Sequence, residues 1–457
     1  MTFIQNIKIK ITTLIILPVV LIFQQSCVKV LDTNSELFVE ENASIVDKKS
    51  ADAALVGAYN ALSSNSYQGV TYRYTVNLLD DNIRWIGNSP TNREFDVYDI
   101  FATNTRVSEL WAAIYRTINI SNNIIELIPS VNDVTFTVVD RNRVRGEAYF
   151  IRAFSYFDLV RIWGNVPLQL QPTKTTSDAV GVGNSKPELI YQQIIKDLDS
   201  ADALLPAVLN RNRANKFTVK ALKAKVYLYT QDWDKAESHA TEIINNTTNF
   251  KLVKPYSQFY TTKNTTESIF EIDYTINNRN TWASNWFASN VTGGRREFLP
   301  TDDFVAKLRN SNIGGDRASL LLTISGTTYG NMNFKIATGE DQVYALRIAD
   351  LFLIRAEARA EKSPIDITGA LQDLNEIRQR ANVPIIATVT DKSDLINKIL
   401  EERRFEFPYE SQRWFDLIRK GRATAVLGIT DANKLLFPIP RQQILVNTSL
   451  KQNLGYN

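Results

Sequence analysis

The stretch Val138–Leu168, "VVDRNRVRGEAYFIRAFSYFDLVRIWGNVPL", constrains this chain more than any other. Its apolar residues recur with helical spacing but are spread nearly all round the helix, so no polar face is left for water. Such a helix is stable only when other elements surround it. Its arginines must then pair or reach a surface. With 457 residues, 44% of them hydrophobic, the chain can supply that surrounding layer and allows more than one lobe.

Other segments supply the neighbours. Helical periodicity begins at Ser50 in "SADAALVGAYNALSS", with Ala54, Val56, Tyr59 and Leu62 as expected buried positions, and resumes in "VSELWAAIYRTINISNNIIELIP". Ser185 and Glu188 flank Pro187 in a capping-box arrangement that opens a helix to about Leu205. Phe217–Thr230 and Trp233–Asn245 read as two helices joined at Gln231–Asp232. Ala221, Ala224, Ala236 and Ala240 permit close approach, while Tyr227, Tyr229 and Trp233 wedge the junction, as in a tetratricopeptide-type hairpin. A second pair spans "YALRIADLFLIRAEARAE" and "DITGALQDLNEIRQRAN". Near the C-terminus, "ILEERRFEFPYESQRWFDLIRKG" predicts a charged helix that stops ahead of Pro408. A short helix with Trp414, Phe415, Leu417 and Ile418 on its apolar side follows and is capped by Gly421. The tail beyond is too apolar to float free and must be tied down.

Two stretches break the helical pattern, about 63–105 and 250–343. Both are rich in polar residues and aromatics. The second predicts a loop-dominated lobe with short strands at Ile269–Tyr274 and Asn333–Ile336. The expected fold is mainly α, a tetratricopeptide-like scaffold of helical pairs holding an irregular, loop-rich lobe.

Lys8 and Lys10 precede an apolar run from Ile11 to Phe23, followed by Gln24, Gln25, Ser26 and Cys27. A basic segment before a short apolar run reads as an export signal, too short to span a bilayer comfortably. The expected organisation is a lipoprotein signal peptide over 1–26, a lipidated tether over 27–48 and a single domain over 49–457. Cys27 is the expected acyl (palmitate) acceptor, after which the mature chain holds no thiol. A buried free cysteine behind a hydrophobic anchor is the alternative.

Composition excludes several classes. Charges nearly cancel at +3 with no long like-charge run, so the basic footprint of a nucleic-acid binder is absent. The single histidine, His239, falls on the polar side of a helix and is expected to be solvated. Ser-His-Asp chemistry and multi-histidine metal sites are thereby excluded. Asp80 and Asp81 lack the ligand spacing of a calcium loop, and no metal or cofactor is expected.

Four segments in order together resemble the SusD/RagB family of outer-membrane nutrient-binding lipoproteins. They are "VRGEAYFIRAFSYFDLVRIWGNVPL", "LRIADLFLIRAEARA", "EERRFEF…QRWFDLIRKG" and the terminal "FPIPRQQILVNTSLKQNLGY". With Cys27 the resemblance spans essentially the whole mature chain. It implies a SusD-like fold and a non-enzymatic protein on the cell's outer membrane. Such a protein captures oligosaccharide, or sometimes peptide, and forms a lid over a TonB-dependent (SusC-like) transporter barrel. The motif residues themselves, among them Arg145, Arg152, Tyr156, Glu402, Arg403 and Arg413, read as helix-packing groups.

Saccharide recognition needs flat apolar rings beside groups that bond hydroxyls. The two aromatic-polar stretches offer both, which makes Trp85, Trp282, Trp286, Tyr72, Tyr67, Arg84 and Asp81 the expected ligand-binding residues. Two other classes stay open: a helical-repeat scaffold gripping peptide or protein, and a carboxylate-based glycosidase, which needs two opposed acids.

Overall fold

The computed structural model describes residues 45–287, 294–332 and 338–456. The signal segment, Cys27, residues 28–44 of the tether and the strand expected at Asn333–Ile336 lie outside the described residues. The longer helices are α1 (Lys48–Ser63), α2 (Thr105–Leu127), α3 (Val138–Trp163), α4 (Pro187–Leu204), α5 (Lys216–Tyr229), α6 (Trp233–Ile244), α7 (Ile348–Glu361), α8 (Ile367–Arg380) and α9 (Lys392–Glu406). Strands are short: β1 (Ile83–Trp85), β2 (Val166–Pro167), β3 (Asn184–Ser185), β4 (Ser268–Ile272), β5 (Phe298–Pro300), β6 (Leu321–Ile324), β7 (Thr327–Gly330) and β8 (Val343–Arg347). They form four antiparallel pairs, β1–β5, β2–β3, β4–β8 and β6–β7.

Helix α3 is the axis of the first half, packed by α1, α2 and α4. From Ala148 to Val160 all but Tyr149 are buried, as its all-round apolar pattern requires. Its polar residues pair inside. Arg152 donates to both oxygens of Asp197 on α4, at 2.8 and 2.6 Å, and Asp158 pairs with Arg161 while accepting from Tyr67 and Gln68, each at 2.7 Å. Arg145 makes no such pair, and its guanidinium lies 5.9 Å from the Tyr149 ring. The hairpins α5–α6 and α7–α8 stack in sequence, α6 lying on α7, and α9 closes against α7 and α8. Gln231 takes the left-handed conformation at the first hairpin turn, and Asp232 caps α6.

Helix α9 ends at Glu406, one residue short of the expected Phe407, and the following short helix, Arg413–Arg419, is closed by Gly421 at φ 62°. Between them lies a buried ionic network. Arg317 donates to Glu406 at 2.9 Å and to Glu402 at 2.5 Å, and Arg347 bonds Glu267, Glu406 and Glu410. Arg380 joins Glu267 and Glu406. Arg403 spans Asp350 and Asp416, each at 2.7 Å. The tail is tied to the end of α3: Phe437 N donates to Ile162 O at 2.9 Å, and Trp163 Nε1 donates to Pro438 O at 2.9 Å.

Several local expectations change. Helix α1 buries Ala51, Leu55, Ala58 and Leu62, whereas Val56 is 48% exposed, so the buried stripe is rotated from the expected one. Asp47, not considered as a cap, forms the capping box with Ser50 that sets this register. Ser185 caps nothing: it belongs to β3, and Lys186 is the N-cap residue of α4. Residues 343–347 are strand, not helix, because they pair with β4. The 63–105 stretch contributes to the core. Its Thr71–Asn77 helix is buried at every position. His239 is half-buried and stacks on Tyr227 at 5.6 Å, and burial lowers its pKa.

Candidate functional site

The two aromatic stretches, far apart in the chain, meet at one ring. Strand β1 pairs with β5 in the register Ile83↔Pro300, Arg84↔Leu299, Trp85↔Phe298. The Phe298 ring is buried and lies 4.5 Å from Tyr74, 6.2 Å from Trp85, 5.6 Å from Trp282 and 5.4 Å from Trp286. Aromatic pairs at such distances add to the burial of their surfaces, by about 0.5–1.5 kcal/mol each. Phe298 is therefore a hub, and sequence reasoning passed it over because the Trp residues around it drew attention as surface groups.

The hub decides which expected contacts remain open to solvent. Trp282 is fully buried, sandwiched between Phe298 and the Arg73 guanidinium at 4.3 Å. Trp286 is likewise fully buried, against Tyr409 at 4.7 Å and Gly330, where a Cβ would come within 2.6 Å of the indole. Tyr67 and Tyr72 are buried too. Tyr67 donates to Asp158, and the Tyr72 hydroxyl accepts from Arg161 at 2.9 Å. These four rings are core, in place of the expected ligand contacts. Asp81 is held between arginines, with Arg413 Nε at 2.9 Å and Arg404 Nη2 at 3.1 Å. Burial opposes its ionisation, but the two guanidiniums outweigh that and hold the carboxyl below the usual range. Its oxygens serve the fold and are not presented to a ligand.

Trp85 and Arg84 keep access to solvent, Arg84 with 48% of its side chain exposed and Trp85 in part. Trp85 is held firmly. Its backbone N–H donates to Asp96 Oδ1 at 2.9 Å, the Tyr74 ring lies 6.0 Å away, and a Cβ on Gly87 would come within 2.2 Å of the indole. Only a glycine permits that approach. Next to it, Ile86 N donates to Glu297 O at 2.9 Å, and Tyr74 Oη donates to Glu297 Oε2 at 2.7 Å. Arg84 lies 3.6 Å from Asp302. The result is a positioned indole beside charged, solvent-facing groups, which is the chemistry needed to stack on an apolar ring face and bond polar substituents.

Elsewhere, a polar cavity of about 50 Å³ is lined by Tyr72, Arg73, Asp158, Arg161, Lys225 and Glu410, among others. That is room for a few waters, well below the ~300 Å³ at which small-molecule sites begin. Among the described residues no group of three or more His, Cys, Asp or Glu side chains could hold a metal ion. Nor is any described helix long and apolar enough to cross a membrane.

Comparison with known proteins places this architecture in a class. A family described as "starch-binding associating with outer membrane" (SusD-like) matches residues 30–228, and the SusD family matches residues 323–433, together well over half of the chain. SusD-like protein P2 of Formosa agariphila is 28% identical, covering 89% of this chain and 92% of its own length. SusD-like protein P38 of the same organism is 24% identical over 99% of both chains. Among solved structures, a SusD superfamily protein from Bacteroides vulgatus superposes with a TM-score of 0.79 at 22% identity, covering 90% of this chain and 99% of that one. A laminarin-binding SusD-like protein superposes at 0.76 with 22% identity, covering 89% and 99%. The chain belongs to the SusD/RagB family. Members of this family are binding proteins rather than enzymes.

Proposed function

We propose that this protein is a lipid-anchored, surface-exposed member of the outer membrane that captures oligosaccharide and passes it to a TonB-dependent transporter, for which it acts as a lid. The observation that carries the binding half is Trp85, a partly exposed indole fixed by Phe298, Tyr74 and Gly87 beside exposed Arg84. Rigid aromatic surfaces of this kind dominate recognition energy. The family membership and the laminarin-binding neighbour support a glycan as ligand. Attachment through Cys27 and delivery to a barrel follow from the family reading.

Calorimetric titration of a panel of oligosaccharides tests the binding half. Trp85→Ala is expected to weaken the ligand that binds by about 2 kcal/mol, roughly thirtyfold, in a protein that still unfolds cooperatively. An unaltered affinity removes Trp85 from the site. Metabolic labelling with palmitate, lost in Cys27→Ser, tests the anchor, and recovery of a β-barrel partner on mild solubilisation tests delivery.

A second reading draws on a groove of about 270 Å³ lined by Ile244, Phe250, Leu252 and Phe352 with Lys251, Lys254 and Glu376. It lies where the stacked hairpins α5–α6 and α7–α8 meet, and supports peptide or protein binding by the scaffold. Peptide binding that survives Trp85→Ala and is lost in Phe352→Ala favours it.

A further inference from the structure

The charged groups around Trp85 differ in how far the protein engages them. Asp96 accepts from the Trp85 backbone N–H through Oδ1 and Glu297 from the Tyr74 hydroxyl through Oε2, so one oxygen of each carboxylate is committed to building the site. The arginines differ. Arg84 has only Asp302 at 3.6 Å, and that partner is itself 90% exposed. Arg295 and Arg296 are exposed, and neither side chain makes an ion pair or hydrogen bond among the described residues.

Backbone geometry sets these two arginines close to the indole. The ladder pairs Trp85 with Phe298 and continues through Ile86 N to Glu297 O at 2.9 Å, so Arg296 and Arg295 directly precede the last residue bonded to the Trp85 strand. Their stretch is pinned from the other side, where Arg295 N donates to Ser284 O and Glu297 N to Asn285 O, each at 2.7 Å. Arg296 is held at φ 50°, in the left-handed region that a branched-free but bulky side chain seldom adopts. Arg295 is close enough for its charge to act on the Tyr74 phenol.

We infer that the ligand at this site is an acidic oligosaccharide, its carboxylate or sulfate groups met by Arg84, Arg295 and Arg296 while a sugar ring lies on Trp85. This rests on the glycan-capture reading above and names the substrate class. Guanidinium forks suit planar carboxylates and sulfate oxygens, and two adjacent like charges without protein partners are relieved by an anion that bridges them. A neutral glycan offers them hydroxyls to bond but no opposite charge.

The test is calorimetric titration of the mature chain with three probes: an oligogalacturonate bearing only carboxylates, a sulfated galactan oligosaccharide bearing only sulfates, and a neutral laminarin oligosaccharide. At least one acidic probe is expected to bind, and the one that does distinguishes uronate from sulfate. Its affinity falls as NaCl rises from about 50 to about 300 mM, where the screening length drops to roughly 6 Å. The double variant Arg295→Gln/Arg296→Gln weakens it roughly three- to thirtyfold, while the melting temperature stays unchanged. Laminarin binding as well as or better than either acid, with the double variant without effect, overturns the acidic assignment and leaves glycan capture standing. Trp85→Ala leaving every measured affinity unchanged overturns this site and the acidic assignment with it, and no binding of any of the three probes counts against glycan capture itself.

Discussion

Replacing Glu406 with Gln isolates the worth of charge in the ionic network at the end of α9. The carboxylate is completely buried, as is Arg317, and Arg347 and Arg380 are nearly so. Four arginines, Arg317, Arg347, Arg378 and Arg380, face four carboxylates, Glu267, Glu402, Glu406 and Glu410. The variant keeps the shape but leaves one positive charge uncompensated and turns an amide NH₂ toward guanidinium donors. Losing hydrogen-bond strength alone would cost about 1 kcal/mol. Stranding a buried charge costs about 3–5 kcal/mol. Urea denaturation measures the difference as a lower midpoint at unchanged slope. A loss of about 1 kcal/mol or less refutes the idea that net charge matters here. The pH dependence gives a second check. Burial opposes ionisation of Glu406, but Arg380, Arg317 and Arg347 outweigh it and draw the carboxyl from 4.5 down to about 2. A depressed carboxyl contributes stability that is complete above about pH 4.5 and is lost as pH falls toward 2. The gap between wild type and variant must therefore narrow across that window. A constant gap would show that the destabilisation comes from packing.

Three further outcomes follow from the geometry. Gly87→Ala puts a methyl within 2.2 Å of the Trp85 indole, so the ring must shift. Ligand affinity measured by calorimetry falls about as far as in Trp85→Ala, in a protein that still melts cooperatively. Phe298→Leu removes the ring shared by Tyr74, Trp85, Trp282 and Trp286. It costs about 2–3 kcal/mol in urea titrations, from lost aromatic pairing and imperfect filling. On α1, Leu55→Ala costs about 2–5 kcal/mol and Val56→Ala stays within about 0.5 kcal/mol. The reverse order would restore the stripe containing Val56.

What could be read from the chain was whatever local chemistry decides. The stop of α9 ahead of Pro408, the left-handed Gly421 and the hairpin turn at Gln231–Asp232 are set by residues within a few positions of one another. The burial of α3 follows from its own pattern. The site was legible only in part, because solvent exposure of an aromatic depends on partners remote in sequence. Trp282 and Trp85 both stand in polar, turn-rich strings, yet one is capped by Arg73 and the other is left open. Tyr74 and Glu297, which frame the open one, are 223 residues apart. Nothing local distinguishes these two tryptophans. Likewise Asp81 looked like a hydroxyl acceptor until Arg413 and Arg404 arrived from the far end of the chain.

Those same two arginines have a kinetic meaning. Arg404 reaches Asn82 and Arg413 reaches Asp81 across 322 and 332 residues, and Asn77 meets Ser411 across 334. Contacts of such long range form late, since the loop they close must first be ordered by other means. The contacts that fix the segment leading into β1 cannot form until the chain through Arg413 is available. A chain cut before Arg404 keeps every residue of the α5–α6 and α7–α8 hairpins yet loses the two arginines that hold Asp81 and Asn82 beside β1.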